Sequence, residues 1–95
     1  MAKMRNRSTE KKIDFEQKVQ PKQLTKEEKH KAETFHAQGY AARKRGDYAQ
    51  AITLYTKAIE IQPMHFKALF NRGFAYDKLG NFEKAIADYS LANEI

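Results

Sequence analysis

The chain has 95 residues, a formal net charge of +6 and 41% hydrophobic residues, which is enough for one small domain. It contains no cysteine, so disulfides, thiolate metal sites and cysteine nucleophiles are excluded. It has neither an apolar run of membrane-spanning length nor the apolar core of a secretion signal. We therefore expect a cytoplasmic protein, cytoskeleton-associated assemblies included.

The positive charge is concentrated near the N-terminus. Residues 1–31 carry ten basic and five acidic residues, whereas residues 32–95 carry eight and seven. Because apolar side chains are few before Pro21, we expect residues 1–23 to form a basic, poorly ordered tail and residues 24–95 to form the domain. The basic residues of the tail are Lys3, Arg5, Arg7, Lys11, Lys12, Lys18 and Lys22.

The first predicted helix begins after Thr25. Thr25 and Glu28 have the spacing of a capping box, in which each side chain accepts a backbone N–H of the first turn. Residues 26–45 contain no proline and a single glycine, so we expect one helix over this range. Gly46 followed by Asp47 then predicts the end of that helix and the cap of the next.

The second predicted helix follows directly. Its apolar residues recur at the spacing of one helix face, namely Tyr48, Ala51, Ile52, Tyr55, Ala58 and Ile59. Pro63 ends the helix, because the residue before a proline avoids helical geometry.

The pattern then repeats with a period of 34 residues. Gly80-Asn81 lies 34 residues after Gly46-Asp47, and Gly73 lies 34 after Gly39. Identical residues also recur in the second helix of each unit, at the pairs Ala51/Ala85, Ile52/Ile86, Tyr55/Tyr89 and Ala58/Ala92. A fixed period without gaps is typical of a stacked repeat array.

This period and its residues resemble the tetratricopeptide repeat. The first copy has Phe35, Gln38-Gly39, Ala42, Ala51, Tyr55 and Pro63, and the second has Leu69, Arg72-Gly73, Tyr76, Ala85 and Tyr89. The resemblance implies an all-α fold: two helix hairpins forming a segment of a right-handed superhelical solenoid, with repeats at about 32–65 and 66–95. It also implies that these residues are core.

Two copies are fewer than such arrays usually contain, and no C-terminal cap follows the second. We therefore expect self-association through the open second repeat, cover by another chain, or a sequence that is a fragment. The longer first helix and the tail are candidates for an N-terminal cap.

The sequence offers no catalytic constellation. His30 and His36 are six residues apart and do not share a helix face as a metal pair would, and Ser8 and Ser90 have no nearby base at a recognisable spacing. Asp88 is read as a solvated charge on the last helix. We expect neither an enzyme nor a metal or cofactor site.

The family resemblance implies that the first helices of the two repeats line a concave groove for a peptide or a partner helix. The corresponding positions are Glu33, His36, Tyr40, Arg43, Lys67, Phe70, Asn71, Phe74 and Asp77. Phe70 and Phe74 with Tyr40 are expected to form an apolar groove, as at a protein-binding hot spot. Its charged rim is expected to consist of Arg43, Lys67 and Asp77. The alternative is that a further repeat or the N-terminal segment covers the two phenylalanines.

Two other functions remain open. Chaperone-binding members of the family hold a peptide's terminal carboxylate with a basic and amide clamp, of which only Asn71 matches, since His36 and Tyr40 replace the expected lysine and asparagine. The basic tail could instead bind an acidic filament or nucleic acid in a salt-dependent manner. Nucleic acid is the less favoured of the two, because the tail has a single aromatic residue for base stacking.

Overall fold

The computed structural model describes residues 23–94, which form four helices. These are α1 (Lys26–Lys44), α2 (Tyr48–Ile61), α3 (Phe66–Lys78) and α4 (Phe82–Glu94). Helix α1 packs on α2 and α3 packs on α4, while α2 joins the two pairs by packing on α3. The all-α helical-repeat prediction is confirmed; the predicted tail and its seven basic residues lie outside the described residues.

The predicted start of α1 is confirmed in detail. The Glu28 backbone N–H donates to the Thr25 hydroxyl at 3.1 Å, and the Thr25 N–H donates to the Glu28 carboxylate at 3.0 Å. These two bonds satisfy donors that the first turn of a helix leaves without partners. The helix ends at Lys44, one residue before the predicted end, with Arg45 as its C-cap.

The turn inside each hairpin has the same construction. Gly46 has a φ of 80° and Gly80 a φ of 81°, a left-handed conformation that glycine adopts without strain. In the first turn the N–H of Asp47 donates back to the Ala42 carbonyl at 2.9 Å, and the Asp47 carboxylate caps α2. The second turn repeats this pattern at Gly80-Asn81, so the 34-residue period of the sequence is also a period of backbone geometry.

The core lies where α1, α2 and α3 meet. Its fully buried members are Ala42, Ala51, Tyr55, Ala58 and Ala68. The Tyr55 ring lies directly against the Gly39 backbone: a Cβ atom at Gly39 would stand 2.7 Å from Cε1 of that ring. The small residues therefore serve close helix packing, as the family resemblance implies.

The interpretation of Asp88 as a solvated charge is wrong. Its side chain is buried, and both of its oxygens accept hydrogen bonds from the Arg72 guanidinium at 2.7 Å. Arg72 also donates to the Thr56 hydroxyl at 3.3 Å, so one arginine connects α2, α3 and α4. The sequence prediction placed Asp88 on the surface because charged residues are rarely buried. The sequence alone does not show that Arg72, 16 residues earlier, lies next to Asp88 in the fold.

Among the described residues, the outer side of α4 is apolar and uncovered. Phe82 is 60% exposed and Ile86 is 63% exposed. Ile86 and Tyr89 also line an open cleft of about 560 Å³, together with Phe66 and Phe70 of α3. No helix in residues 23–94 is both long and apolar enough to cross a membrane.

Candidate protein-interaction groove

The face between α1 and α3 carries two clusters of predicted groove residues. The first is a hydrogen-bond network that connects the two repeats. Glu33 of α1 accepts from His36 at 3.3 Å and from His65, at the start of α3, at 3.1 Å. The Asn71 amide lies 3.1 Å from the remaining ring nitrogen of His36.

The bonds of this network assign the proton on each histidine. His65 is the N-cap of α3, and its Nδ1 accepts the Ala68 backbone N–H at 3.1 Å. Its proton is therefore on Nε2, which donates to Glu33. His36 accepts from Asn71 at Nε2, so its proton is on Nδ1 and also points at Glu33. Both rings are satisfied in the neutral form.

Two shifts describe the electrostatics of the network. Burial lowers the pKa of His36 below its usual value, against the opposing effect of Glu33. Partial burial on its own would raise the pKa of Glu33, but the hydrogen bonds from His65 and His36 outweigh it and the pKa is lowered. At neutral pH the cluster is thus an ionised carboxylate held by a neutral His36 and by the Nε2–H of His65.

The ligand atoms of Glu33, His36 and His65 lie within 4.8 Å of one another, a grouping that a metal ion could in principle use. Metal binding here requires both ring nitrogens that face Glu33 to lose their protons. For His65, the proton would move to Nδ1 and break the cap on α3. The assigned protons therefore favour a closed hydrogen-bond network over a metal centre.

The second cluster consists of Tyr40 and Arg43 of α1 and Phe74 of α3. The Arg43 guanidinium carbon lies 4.0 Å from the centre of the Phe74 ring and 5.3 Å from that of Tyr40. Lys44 approaches Tyr40 and Lys78 approaches Phe74, each with its ammonium nitrogen about 5 Å from the ring centre. This cluster, called the arginine–aromatic cluster below, is partly exposed: Tyr40 is 41% exposed.

The expected continuous groove of Tyr40, Phe70 and Phe74 is not what the structure contains. Phe70 stacks with Phe66 and Tyr89 at the open end, whereas Phe74 contacts Tyr48 and Arg43. The two phenylalanines are four residues apart, but their rings turn toward different neighbours. Arg43 is likewise part of the aromatic surface and not of its rim.

The remaining predicted groove residues, Lys67 and Asp77, are exposed on α3. Sequence reasoning missed His65, which completes the network although it precedes the helix. A signal was present: a histidine directly before a helical segment, at an N-cap position, can accept a backbone N–H. The 34-residue period gives no help, because the equivalent position is Lys31.

Two sequence profiles of one family match the chain. The profile described as "TPR repeat" matches residues 39–80, and the profile described as "Tetratricopeptide repeat" matches residues 66–95. Together they span more than half of the chain. The chain belongs to the tetratricopeptide-repeat family, and the two helix hairpins are its repeats.

Curated relatives are similar over the same region. The chain is 42% identical over 59 residues to "Heat-shock protein cognate (HSC) co-chaperone sgt12" of Aspergillus fumigatus, covering 62% of this chain and 17% of the relative. It is 40% identical over 57 residues to "Hsp70-Hsp90 organizing protein 3" of Arabidopsis thaliana, covering 60% and 10%. It is 40% identical over 62 residues to "DnaJ homolog subfamily C member 7" of Homo sapiens, covering 65% and 13%.

The chain thus spans less than a fifth of the length of these relatives. What it shares with them is the repeat region. Family and relatives together support a protein–protein interaction module of the adaptor type.

Proposed function

We propose that this protein is a non-enzymatic adaptor of a larger cytoplasmic assembly that binds a protein partner in the groove between α1 and α3. The observation that carries this proposal is the arginine–aromatic cluster. Two rings from different repeats face the same guanidinium and remain partly exposed, and aromatic residues with arginine are enriched at the centres of protein interfaces. A peptide or a helix lying along the groove would cover both rings.

The proposal is tested with peptides selected from a displayed random library on the full chain. We expect Tyr40→Ala and Phe74→Ala each to weaken the selected peptides about 30-fold or more, the effect of removing an interface hot spot. The measurement is the Kd of each peptide by fluorescence anisotropy. Phe82→Ala is the matched control, because Phe82 is an exposed aromatic residue on α4, outside the groove.

Equal affinities for the parent chain and both groove variants would contradict the proposal. Binding that weakens steeply with added salt would favour the basic tail as the binding site instead, if this salt dependence disappears when residues 1–23 are deleted. That alternative remains a prediction, since its residues lie outside the described residues.

The names of the relatives make a co-chaperone adaptor the second candidate. The local geometry favours it less, because His36 and Asn71 bond to each other and His36 also bonds Glu33. A peptide's terminal carboxylate would meet the ionised Glu33 at this point. Selected peptides that lose affinity when their C-terminus is amidated would favour the co-chaperone reading.

Self-association is part of the proposal, and its occupant is a second copy of this chain. Ile86 and Tyr89 of α4 are the counterparts of Ile52 and Tyr55 of α2, the helix on which α3 of the next repeat packs. We therefore expect a helix from a second copy of this chain to pack into the cleft.

We expect sedimentation equilibrium of the full chain to show a concentration-dependent dimer, and Ile86→Glu to shift it toward monomer. Ala87→Glu adds the same charge at an exposed position next to Ile86 that does not line the cleft, and should leave the equilibrium unchanged. A monomer at all concentrations would refute this part of the proposal.

A further inference from the structure

The two arginines of the repeat helices that contact aromatic rings are in opposite states. Arg72 uses three of its five guanidinium N–H donors, two in bonds to Asp88 and one in a bond to Thr56. Arg43 lies over the Phe74 ring, with its guanidinium carbon 4.0 Å from the ring centre, and within residues 23–94 its side chain forms neither a hydrogen bond nor an ion pair. Stacking uses the face of a guanidinium and leaves its N–H donors, which lie in the plane, available.

The position of Arg43 is fixed before any partner arrives. The Phe74 ring centre lies 4.0 Å from the guanidinium carbon, and Tyr40 lies beside it on the same helix as Arg43. Arg43 and Lys44 are also in the last turn of α1, where the helix dipole favours positive charge. A guanidinium held in this way loses less freedom when it binds a carboxylate than a free arginine does.

The N–H donors of the network around Glu33 are already occupied. The two ring N–H groups that face Glu33 are bound to its carboxylate, and the amide of Asn71 is bound to His36. An anionic group from a partner would therefore have to displace an internal carboxylate there, whereas at Arg43 it displaces only water. The net charge differs between the two ends of the groove: Glu33 and Lys67 offset each other at one end, whereas Arg43, Lys44 and Lys78 outnumber Asp77 at the other.

We propose that Arg43 is the anion-binding point of the groove and that its occupant is an acidic peptide segment, one side-chain carboxylate of which pairs with the guanidinium fork. This inference rests on the proposed function, since it names the partner class for the same groove. Arg43 and Lys44 come from α1 and Lys78 from α3, so the positive charge extends across the groove. A run of acidic side chains matches that distribution better than a single chain end does.

The probe is a pair of peptide pools with acetylated and amidated ends, identical except for a central Glu-Glu or Gln-Gln pair. The full ¹⁵N-labelled chain is titrated with each pool, and the arginine Nε–H resonances are followed. We expect the Glu pool to shift the Arg43 resonance and to leave that of Arg72 in place, because Arg72 is bound to Asp88. The Gln pool should cause at most a small shift.

Variants give the quantitative test. Arg43→Gln should weaken the Glu pool about tenfold or more, the usual effect of losing a hydrogen-bonded charge pair. Arg43→Lys retains the charge but not the fork, and should recover only part of the affinity. Arg45→Gln removes the same charge from an exposed cap residue outside the cluster and should have little effect. Because Arg43 is partly exposed, the melting curves of all three variants should resemble that of the parent.

Each contrary result has a separate meaning. If both pools bind equally and Arg43→Gln changes nothing, while Phe74→Ala abolishes binding, the groove function stands and the assignment of Arg43 is overturned. If neither pool binds and peptides selected on the chain ignore the groove variants, the proposed function fails as well. A pool with central phosphoserine, or one with a free C-terminus, that binds better than the Glu pool would overturn the acidic side chain as the occupant.

Discussion

Asp88→Ala is expected to destabilise the protein by about 3–5 kcal/mol, the cost of removing one partner from a buried ion pair. Asp88 is 3% exposed and accepts two bonds of 2.7 Å from Arg72, whose pKa is raised mainly by this pairing. Without the carboxylate, Arg72 retains a buried charge and only the Thr56 hydroxyl as an acceptor. For a small domain, whose stability is roughly 0.05–0.15 kcal/mol per residue, this loss is a large part of the total.

The measurement is urea unfolding followed by far-UV circular dichroism. Asp77→Ala removes an exposed aspartate of α3 and should cost less than about 1 kcal/mol. The double variant Arg72→Met with Asp88→Leu should regain most of the lost stability, because an apolar pair leaves no buried charge. Equal urea midpoints for the Asp88 and Asp77 variants would show that the Arg72–Asp88 pair does not stabilise the fold.

Gly39→Ala is the second substitution with a large expected effect. It should lower the free energy of unfolding by about 1–3 kcal/mol, because the added methyl overpacks the core. The added methyl would lie 2.7 and 2.8 Å from two carbons of the Tyr55 ring. That ring is fully buried among small residues and cannot move without shifting α2. This clash outweighs the gain of about 1 kcal/mol that alanine brings to a helix interior.

Gly73→Ala is the matched comparison in the second repeat. Its methyl would stand 3.0 Å from the Tyr89 ring and 3.3 Å from the Ala85 carbonyl, and Tyr89 is only partly buried at the open end. The Tyr89 ring can therefore move aside, and we expect a change near zero in the midpoint of thermal unfolding. A similar loss in both variants would mean that the packing around Tyr55 is no tighter than that around Tyr89.

The parts of the fold that follow from local rules were predictable from the sequence. The capping box at Thr25, the glycine turns and the helical stripe of α2 each depend on residues close in the chain. The period of 34 residues then placed the second hairpin. Helix ends agree with prediction to within one residue at Lys44, because the turn residues that follow determine them.

The parts that depend on partners distant in the chain were not predictable. Asp88 is buried because Arg72 reaches it, and His65 becomes part of the groove because Glu33 lies beside it. Phe74 was expected at the groove from the family resemblance, whereas its contact with Arg43 depends on how two helices cross. In each case the sequence shows on which face of its helix a residue lies, but not which residue of another helix lies opposite.

The single imidazole of His65 has two bonds with different consequences. One ring nitrogen caps the first turn of α3, and the other is hydrogen-bonded to Glu33 of α1 in the preceding repeat. The curvature of a solenoid is the sum of small rotations between neighbouring units, so the angle at this joint determines how wide the concave face opens. Here that angle is coupled to the first turn of a helix, because a change that frays the start of α3 also removes the bond from His65 to Glu33 that connects the two repeats.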